Sequence, residues 1–156
     1  MKTIRTETCL TLVLLAAFVA MTLRAVPTAA SSGRHGQLHV TKDCSGYTGA
    51  AGSFCTITAS NLPEIPVGSL VFYFSPLIAS TGLLDSNIVL DAGEGNRAIG
   101  RCTLDLVTNL ALCTFSDGTG KFRGFVARVE GSGDFPNYHW DGTYSLKEQG
   151  GEHDNE

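Results

Sequence analysis

Short apolar runs separated by turn-forming residues fill the chain from residue 37 to residue 147. Apolar and polar residues alternate within these runs, as expected for strands that bury one face. No stretch in this part keeps the 3.6-residue period of a helix for a dozen positions. The pattern predicts strands over residues 37–42, 54–59, 69–75, 87–91, 98–106, 110–116, 122–130 and 138–147.

About eight strands joined by short turns predict a single all-β domain over residues 37–147. One sheet of this size tends to curl, and closing it removes its exposed edges. We therefore expect an eight-stranded antiparallel β-barrel, with a two-sheet β-sandwich as the alternative that strand spacing leaves open. Residues 76–86 are the longest predicted loop and a candidate pocket rim. Residues 117–120 are a predicted turn and residues 131–137 a predicted loop.

Residues 1–30 differ from the rest of the chain. Lys2 and Arg5 precede an uncharged apolar run over residues 9–21, and small residues follow at 27–32. This order is typical of a secretory signal peptide, for which we expect cleavage after Ala30. An uncleaved membrane anchor is the alternative, although the run is shorter than the roughly 20 residues that cross a bilayer.

The remaining chain predicts a secreted or periplasmic protein with unstructured ends. We expect residues 31–36 to be a flexible N-terminus and residues 148–156 a disordered acidic tail. Residues 31–156 carry 8 Lys and Arg against 14 Asp and Glu, a net charge of −6. A negative surface repels phosphate backbones and anionic membranes. We expect no nucleic-acid partner and no stable membrane anchor.

Four cysteines remain after the signal peptide: Cys44, Cys55, Cys102 and Cys113. An even number in an exported chain indicates disulfides. We favour Cys44–Cys55 and Cys102–Cys113, because Cys102 opposite Cys113 in a hairpin leaves an ordinary four-residue loop, 106–109. The crossed connectivities stay open. No Cys-x-x-Cys or suitably spaced histidine supports a zinc site, and we expect no metal and no cofactor.

Aromatic residues are the candidate ligand-binding residues. Alternation places Phe72 and Phe74 on one face of the third strand, and Trp140 and Tyr144 on one face of the last. Such side chains line ligand pockets, and they also fill cores. The catalytic residues are unknown, because no nucleophile motif is present. His139 and Asp141, two apart on one strand face, are the single acid–base pair, and surface decoration is the simpler interpretation.

Four segments resemble a known family: residues 54–63, 90–96, 113–125 and 140–146. They are similar to exported bacterial proteins of the allene oxide cyclase barrel-like group. The Gly-Thr-Gly-Lys-Phe-x-Gly turn at residues 118–124 also resembles plant dirigent proteins. The resemblance implies an eight-stranded antiparallel barrel with an apolar interior that receives a hydrophobic guest, often within a homotrimer. The catalytic residues of these families match no positions here.

The sequence leaves three functions open. The first is an exported barrel that binds a small hydrophobic molecule without chemistry. The second is a cyclase-like or dirigent-like enzyme, of isomerase type, that acts on a reactive lipid or phenolic and needs a buried polar group with a perturbed pKa, such as Glu or Asp. The third is a structural or interaction protein of the cell surface with a solidly packed barrel. The sequence favours binding over catalysis.

Overall fold

The structure, a computed structural model, describes residues 33–147. The predicted signal peptide and acidic tail lie outside these residues. Eight strands make up the fold: β1 (Gly33–Asp43), β2 (Phe54–Ser60), β3 (Leu70–Tyr73), β4 (Leu83–Asp91), β5 (Arg97–Asp105), β6 (Leu110–Thr119), β7 (Val126–Asp134) and β8 (Asn137–Lys147). One 3₁₀ turn, Gly120–Phe122, lies between β6 and β7.

Each strand pairs antiparallel with the next, and β8 pairs with β1 to close the barrel. The closing ladder runs from Gly33 opposite Lys147 to Asp43 opposite Asn137, so that β1 and β8 pair along their whole lengths. The predicted eight-stranded antiparallel barrel is confirmed, and the β-sandwich alternative is wrong. A continuous β1–β8 ladder leaves no place for the gap that separates two sheets.

Alternating inward positions explain why these segments form barrel strands. In β8, Tyr138, Trp140 and Leu146 are buried, while His139 and Asp141 are exposed. Successive side chains of a strand point to opposite faces, so one set fills the interior and the other meets solvent. The predicted division of β8 into an apolar and a polar face is confirmed.

Several predicted boundaries are wrong because polar or glycine-rich stretches belong to strands. β4 begins at Leu83, so that residues 83–86 are strand and not loop. Ser86 is buried there, and its Oγ accepts hydrogen bonds from the backbone N–H groups of Phe74 and Ser75. A polar residue in an inward position concealed the alternation.

Three further strand boundaries were predicted wrongly because the segments there are rich in glycine. β7 continues to Asp134, so that residues 131–134 pair with β8 and the connection is reduced to residues 135–136. β6 extends to Thr119 and so includes residues 117–119 of the predicted turn at 117–120. Residues 33–36, expected to be flexible, pair with β8 as part of β1. Pairing with a neighbouring strand keeps each of these segments extended in spite of its glycine content.

One end of the barrel is plugged. The β2–β3 and β6–β7 connections fold over it and bury Leu62, Ile65, Phe122 and Phe125 almost completely. The rings of Phe122 and Phe125 are edge-to-face, with their centroids 5.3 Å apart. Large apolar side chains therefore seal this end from solvent, and we call it the closed end.

An aromatic stack carries the packing from the closed end towards the barrel centre. The Phe125 ring lies 5.9 Å from that of Phe115, and Phe115 lies 5.7 Å from Trp140. Aromatic pairs at these distances contribute about 0.5–1.5 kcal/mol each beyond the burial of their area. The half of the interior between the closed end and Trp140 is thus filled by side chains.

Both predicted disulfides are present, Cys44–Cys55 and Cys102–Cys113. Cys102 lies directly opposite Cys113 in the β5–β6 ladder, and the connecting loop is residues 106–109 as predicted. Two disulfides fit a protein that works outside the reducing cytoplasm. Within residues 33–147, no helix has the length and apolar character needed to cross a membrane.

Candidate functional site

A cavity of about 360 Å³ occupies the other half of the barrel. Its rim comes from the four connections that lie opposite the closed end, namely β1–β2, β3–β4, β5–β6 and β7–β8. These contribute Thr48, Leu77, Leu106, Asn109 and Phe135. Because the closed end is plugged, this open end is the route by which a molecule reaches the cavity.

The cavity wall is mostly apolar. Strand residues Leu84, Leu104 and Ala111 supply aliphatic surface, and Tyr138 and Trp140 supply aromatic surface. Cysteines of both disulfides also line the wall, which ties the cross-links to the shape of the cavity. Such walls favour a ligand with a large apolar part, because burial is worth about 25 cal/mol per Å² of apolar surface.

Lys42 is the cationic side chain within this apolar wall. It lies on β1, two residues after Val40, and only 6% of its surface is exposed. Its Nζ donates a hydrogen bond of 2.9 Å to Tyr73 Oη and lies 3.9 Å from the centre of the Trp140 ring. The amine is therefore held between a hydroxyl and an aromatic face.

No carboxylate lines the cavity in the described part of the chain, and none lies within ion-pair distance of Lys42 there. Burial without a counter-charge disfavours the ammonium form. It lowers the pKa of Lys42 from its ordinary value of 10.5 to about 7. Near neutral pH the side chain is consequently divided between an ammonium ion and a neutral amine.

Three tyrosines, Tyr47, Tyr73 and Tyr138, line the cavity together with Lys42. Burial raises the pKa of Tyr73 well above its ordinary value, and the neighbouring Tyr47 and Tyr138 raise it further. The pKa values of Tyr47 and Tyr138 are also raised, again chiefly by burial. All three phenols thus stay protonated at neutral pH and offer O–H donors.

Two buried polar atoms at the cavity lack partners among residues 33–147. They are the hydroxyl of Tyr47 and Nε1 of Trp140. A buried donor without a partner costs about 1–3 kcal/mol, which a polar ligand atom would recover. The cavity therefore combines apolar walls with a small group of hydrogen-bond donors, as ligand sites commonly do.

No protein-family model, curated protein or solved structure matches this chain. The likeness to allene oxide cyclase-like and dirigent-like proteins thus rests on the sequence motifs alone. The cavity and its side chains are therefore the basis on which a function can be assigned.

The four aromatic residues predicted to bind a ligand are not brought together. Trp140 lines the cavity. Tyr144 stacks on Phe125 with ring centres 6.5 Å apart, in the packed half of the barrel. Phe72 and Phe74 point out of the barrel, and their placement in the interior was wrong.

β3 explains the error for Phe72 and Phe74. Both faces of this strand are apolar, so the pattern could not decide which one points inward. The structure buries Val71 and Tyr73 inside, while Phe72 contacts Phe54 on the outer surface at 5.8 Å between ring centres. Tyr73, not its phenylalanine neighbours, reaches the cavity.

Lys42 is the candidate site residue that the sequence pattern did not reveal. The signal was present, because Leu38, Val40 and Lys42 share one face of β1. A lysine that continues a buried apolar face is the unusual observation, since lysine is rarely buried without a partner. The expected sign of chemistry was a buried Glu or Asp, and the structure places an amine there instead.

A second group of polar residues lies on the outer surface. Asp141 approaches His39, with 2.6 Å between Oδ1 and Nδ1, and His139 Nε2 lies 2.9 Å from Ser132 Oγ. Instead of the predicted His139–Asp141 pair, the structure pairs Asp141 with His39 and His139 with Ser132. More than half of the His39 and Asp141 side chains is exposed, so solvent screens the pair, and the cavity is the stronger candidate site.

Proposed function

We propose that the barrel binds a small, largely apolar molecule in the cavity at its open end. The observation that carries the proposal is the cavity itself: about 360 Å³, apolar walls and one open end. Ligand pockets in proteins run from about 300 to 1,000 Å³, so the size selects a small molecule. A barrel that served only as a packed structural unit would gain nothing from leaving this half unfilled.

The polar groups set the orientation of the bound molecule. Lys42 Nζ, the Tyr47 hydroxyl and Trp140 Nε1 all belong to residues that line the cavity. A ligand with one polar end and an apolar body satisfies these donors while it covers the aliphatic wall. This arrangement supports a monofunctional amphiphile over a hydrocarbon or a polyol.

We infer that the protein works in a secreted or periplasmic location. The signal-peptide order of residues 1–30 supports export. Two disulfides within the barrel fit an oxidising compartment. The homotrimer implied by the family resemblance stays a prediction.

An enzyme is the second candidate. The observation in its favour is the Lys42–Tyr73 pair, which places a buried ionisable group with a lowered pKa inside an apolar cavity. Active sites are where such shifts concentrate, although structural networks also produce them. The cyclase-like or dirigent-like activity remains an expectation from the resemblance.

Native mass spectrometry of protein isolated from its own exported fraction tests binding. We expect a reproducible additional mass that is lost on denaturation, and uptake of added medium-chain alcohols by the emptied protein. Ala111→Phe fills the cavity and should abolish uptake, whereas Thr114→Phe on the exposed face of the same strand should retain it. An unliganded wild-type protein that takes up no alcohol or fatty acid would contradict the proposal.

A further inference from the structure

The burial of the Lys42 amine has an unfavourable desolvation free energy. Its neighbours on the inward face of β1 are Leu38 and Val40, and a leucine or methionine would continue that face without a desolvation cost. Burial of an amine without a carboxylate destabilises the fold, so the cavity keeps this group in spite of the cost.

We propose that the cavity takes small apolar aldehydes and ketones and holds them as a Schiff base on Lys42 Nζ. This inference rests on the proposed binding function and names the ligand class. It stands on the geometry of the amine, which lines the cavity, bonds to Tyr73 Oη at 2.9 Å and lies over the Trp140 ring at 3.9 Å.

The surroundings of Lys42 favour the neutral amine that such a reaction needs. The titratable groups at the cavity around it are Tyr47 from the β1–β2 loop, Tyr73 from β3 and Tyr138 from β8, and all are phenols that stay protonated. Burial lowers the lysine pKa to about 7. A lysine desolvated in a hydrophobic pocket is an activated nucleophile towards carbonyl carbon.

The step balances with water as the single by-product. The lone pair of Nζ attacks the carbonyl carbon, the C=O π pair moves to oxygen, and one proton passes from nitrogen to that oxygen to give a carbinolamine. Tyr73 Oη then donates a proton to the hydroxyl, the nitrogen lone pair forms the C=N bond of an iminium ion as the C–O bond breaks, and water leaves. The iminium N–H returns a proton to the Tyr73 oxygen and leaves a neutral imine. No electrons are gained or lost overall, and addition of water reverses the sequence.

A carbonyl compound fits the cavity better than a carboxylate of the same length. An aldehyde enters without charge and leaves none behind when the imine is neutral. A carboxylate brings a second ion into an apolar site, and the desolvation of two ions offsets much of their attraction. Tyr73 is well placed for the carbonyl reaction because its hydroxyl already contacts the amine.

Reductive trapping tests the inference. The full-length protein, with its disulfides intact, is incubated with octanal or 2-octanone and sodium cyanoborohydride at neutral pH, and the modified lysines are mapped by peptide mass spectrometry. We expect one alkyl group per chain, on Lys42. The exposed Lys121 and Lys147 are internal controls and should react at least about tenfold more slowly, because they lie in solvent outside the cavity and lack the apolar surroundings that activate an amine.

Variants separate the roles of the side chains. Lys42→Arg keeps a cation but removes the nucleophile and should abolish trapping, whereas Lys121→Arg should trap like the wild type. Tyr73→Phe should slow trapping several-fold, as expected for a residue that moves protons to and from the intermediate. The wild-type peptide map remains decisive if a variant does not fold.

Uptake of 1-octanol, measured in parallel, separates this inference from the proposed function. Octanol binding without a Lys42 adduct would overturn the Schiff-base inference and leave the binding function intact. Failure of both measurements would overturn both. Equal modification of Lys42, Lys121 and Lys147, or uptake of octanoate in preference to octanal, would also overturn the inference.

Discussion

Replacement of Lys42 by methionine removes a buried amine and keeps an unbranched side chain of similar length. The effect on stability depends on pH, because the pKa of Lys42 is about 7 in the fold and 10.5 in its ordinary state. Between these values the unfolded chain binds a proton that the folded chain has released. The free energy of unfolding of the wild type therefore rises with pH across this interval.

The pKa difference gives the size of the effect. A shift of about 3.5 units corresponds to a cost of about 5 kcal/mol when both states are protonated, below about pH 7. The cost falls to about 2 kcal/mol near pH 9 and vanishes above the ordinary value. Lys42→Met carries no such cost, so its stability advantage over the wild type should shrink by about 3 kcal/mol between about pH 6 and about pH 9.

Urea unfolding of both proteins with intact disulfides measures this difference. Subtraction of the two curves cancels the other titrating groups, and the range ends below the ordinary tyrosine pKa of about 10. The exposed Lys121→Met variant is the matched control and should differ from the wild type by no more than about 0.5 kcal/mol at either pH. A Lys42→Met advantage that is constant across the range would refute the view that burial holds this amine near neutrality.

Three further outcomes follow from the structure. Trp140 is the single tryptophan of the chain, and its emission should titrate near pH 7 in the wild type but not in Lys42→Met, because the ammonium lies over its ring. Serine at both Cys102 and Cys113 should lower the free energy of unfolding by about 3 kcal/mol in urea titrations, and no loss would mean that this cross-link does not constrain the unfolded chain. Gly142→Ala should destabilise the barrel by at least about 2 kcal/mol, because a Cβ there would overlap a backbone oxygen of β7, and a wild-type melting temperature would show that the ladder can widen.

The strands and the barrel were predictable where one face of a strand was clearly apolar. In β8 the alternation of Tyr138 and Trp140 with polar residues settled both the element and its inward face. The same local pattern supported the Cys102–Cys113 hairpin, since its register depends only on the loop between the two cysteines. Local rules suffice when the two strands of a pair are neighbours in sequence.

The candidate site was harder to predict because it depends on contacts between distant strands. Lys42 meets Tyr73 and Trp140 only after β1 has paired with β8 and β3 has turned its Tyr73 face inward. No local pattern orients a strand with two apolar faces, which is why Phe72 was placed in the interior instead of Tyr73. A lysine that points into the barrel is also an exception to the rule that lysine side chains stay exposed. Such exceptions concentrate at functional sites.

The packed half of the barrel lies between Trp140 and the closed end, and the hollow half lies beyond it. Substitutions at the open end therefore alter what the barrel can hold while the aromatic stack of Phe115, Phe122 and Phe125 preserves the fold. Such a division would let the shape of the cavity change by substitution without loss of a stable scaffold. For engineering, the rim and the aliphatic wall are the positions to randomise, and the closed end is the part to leave unchanged.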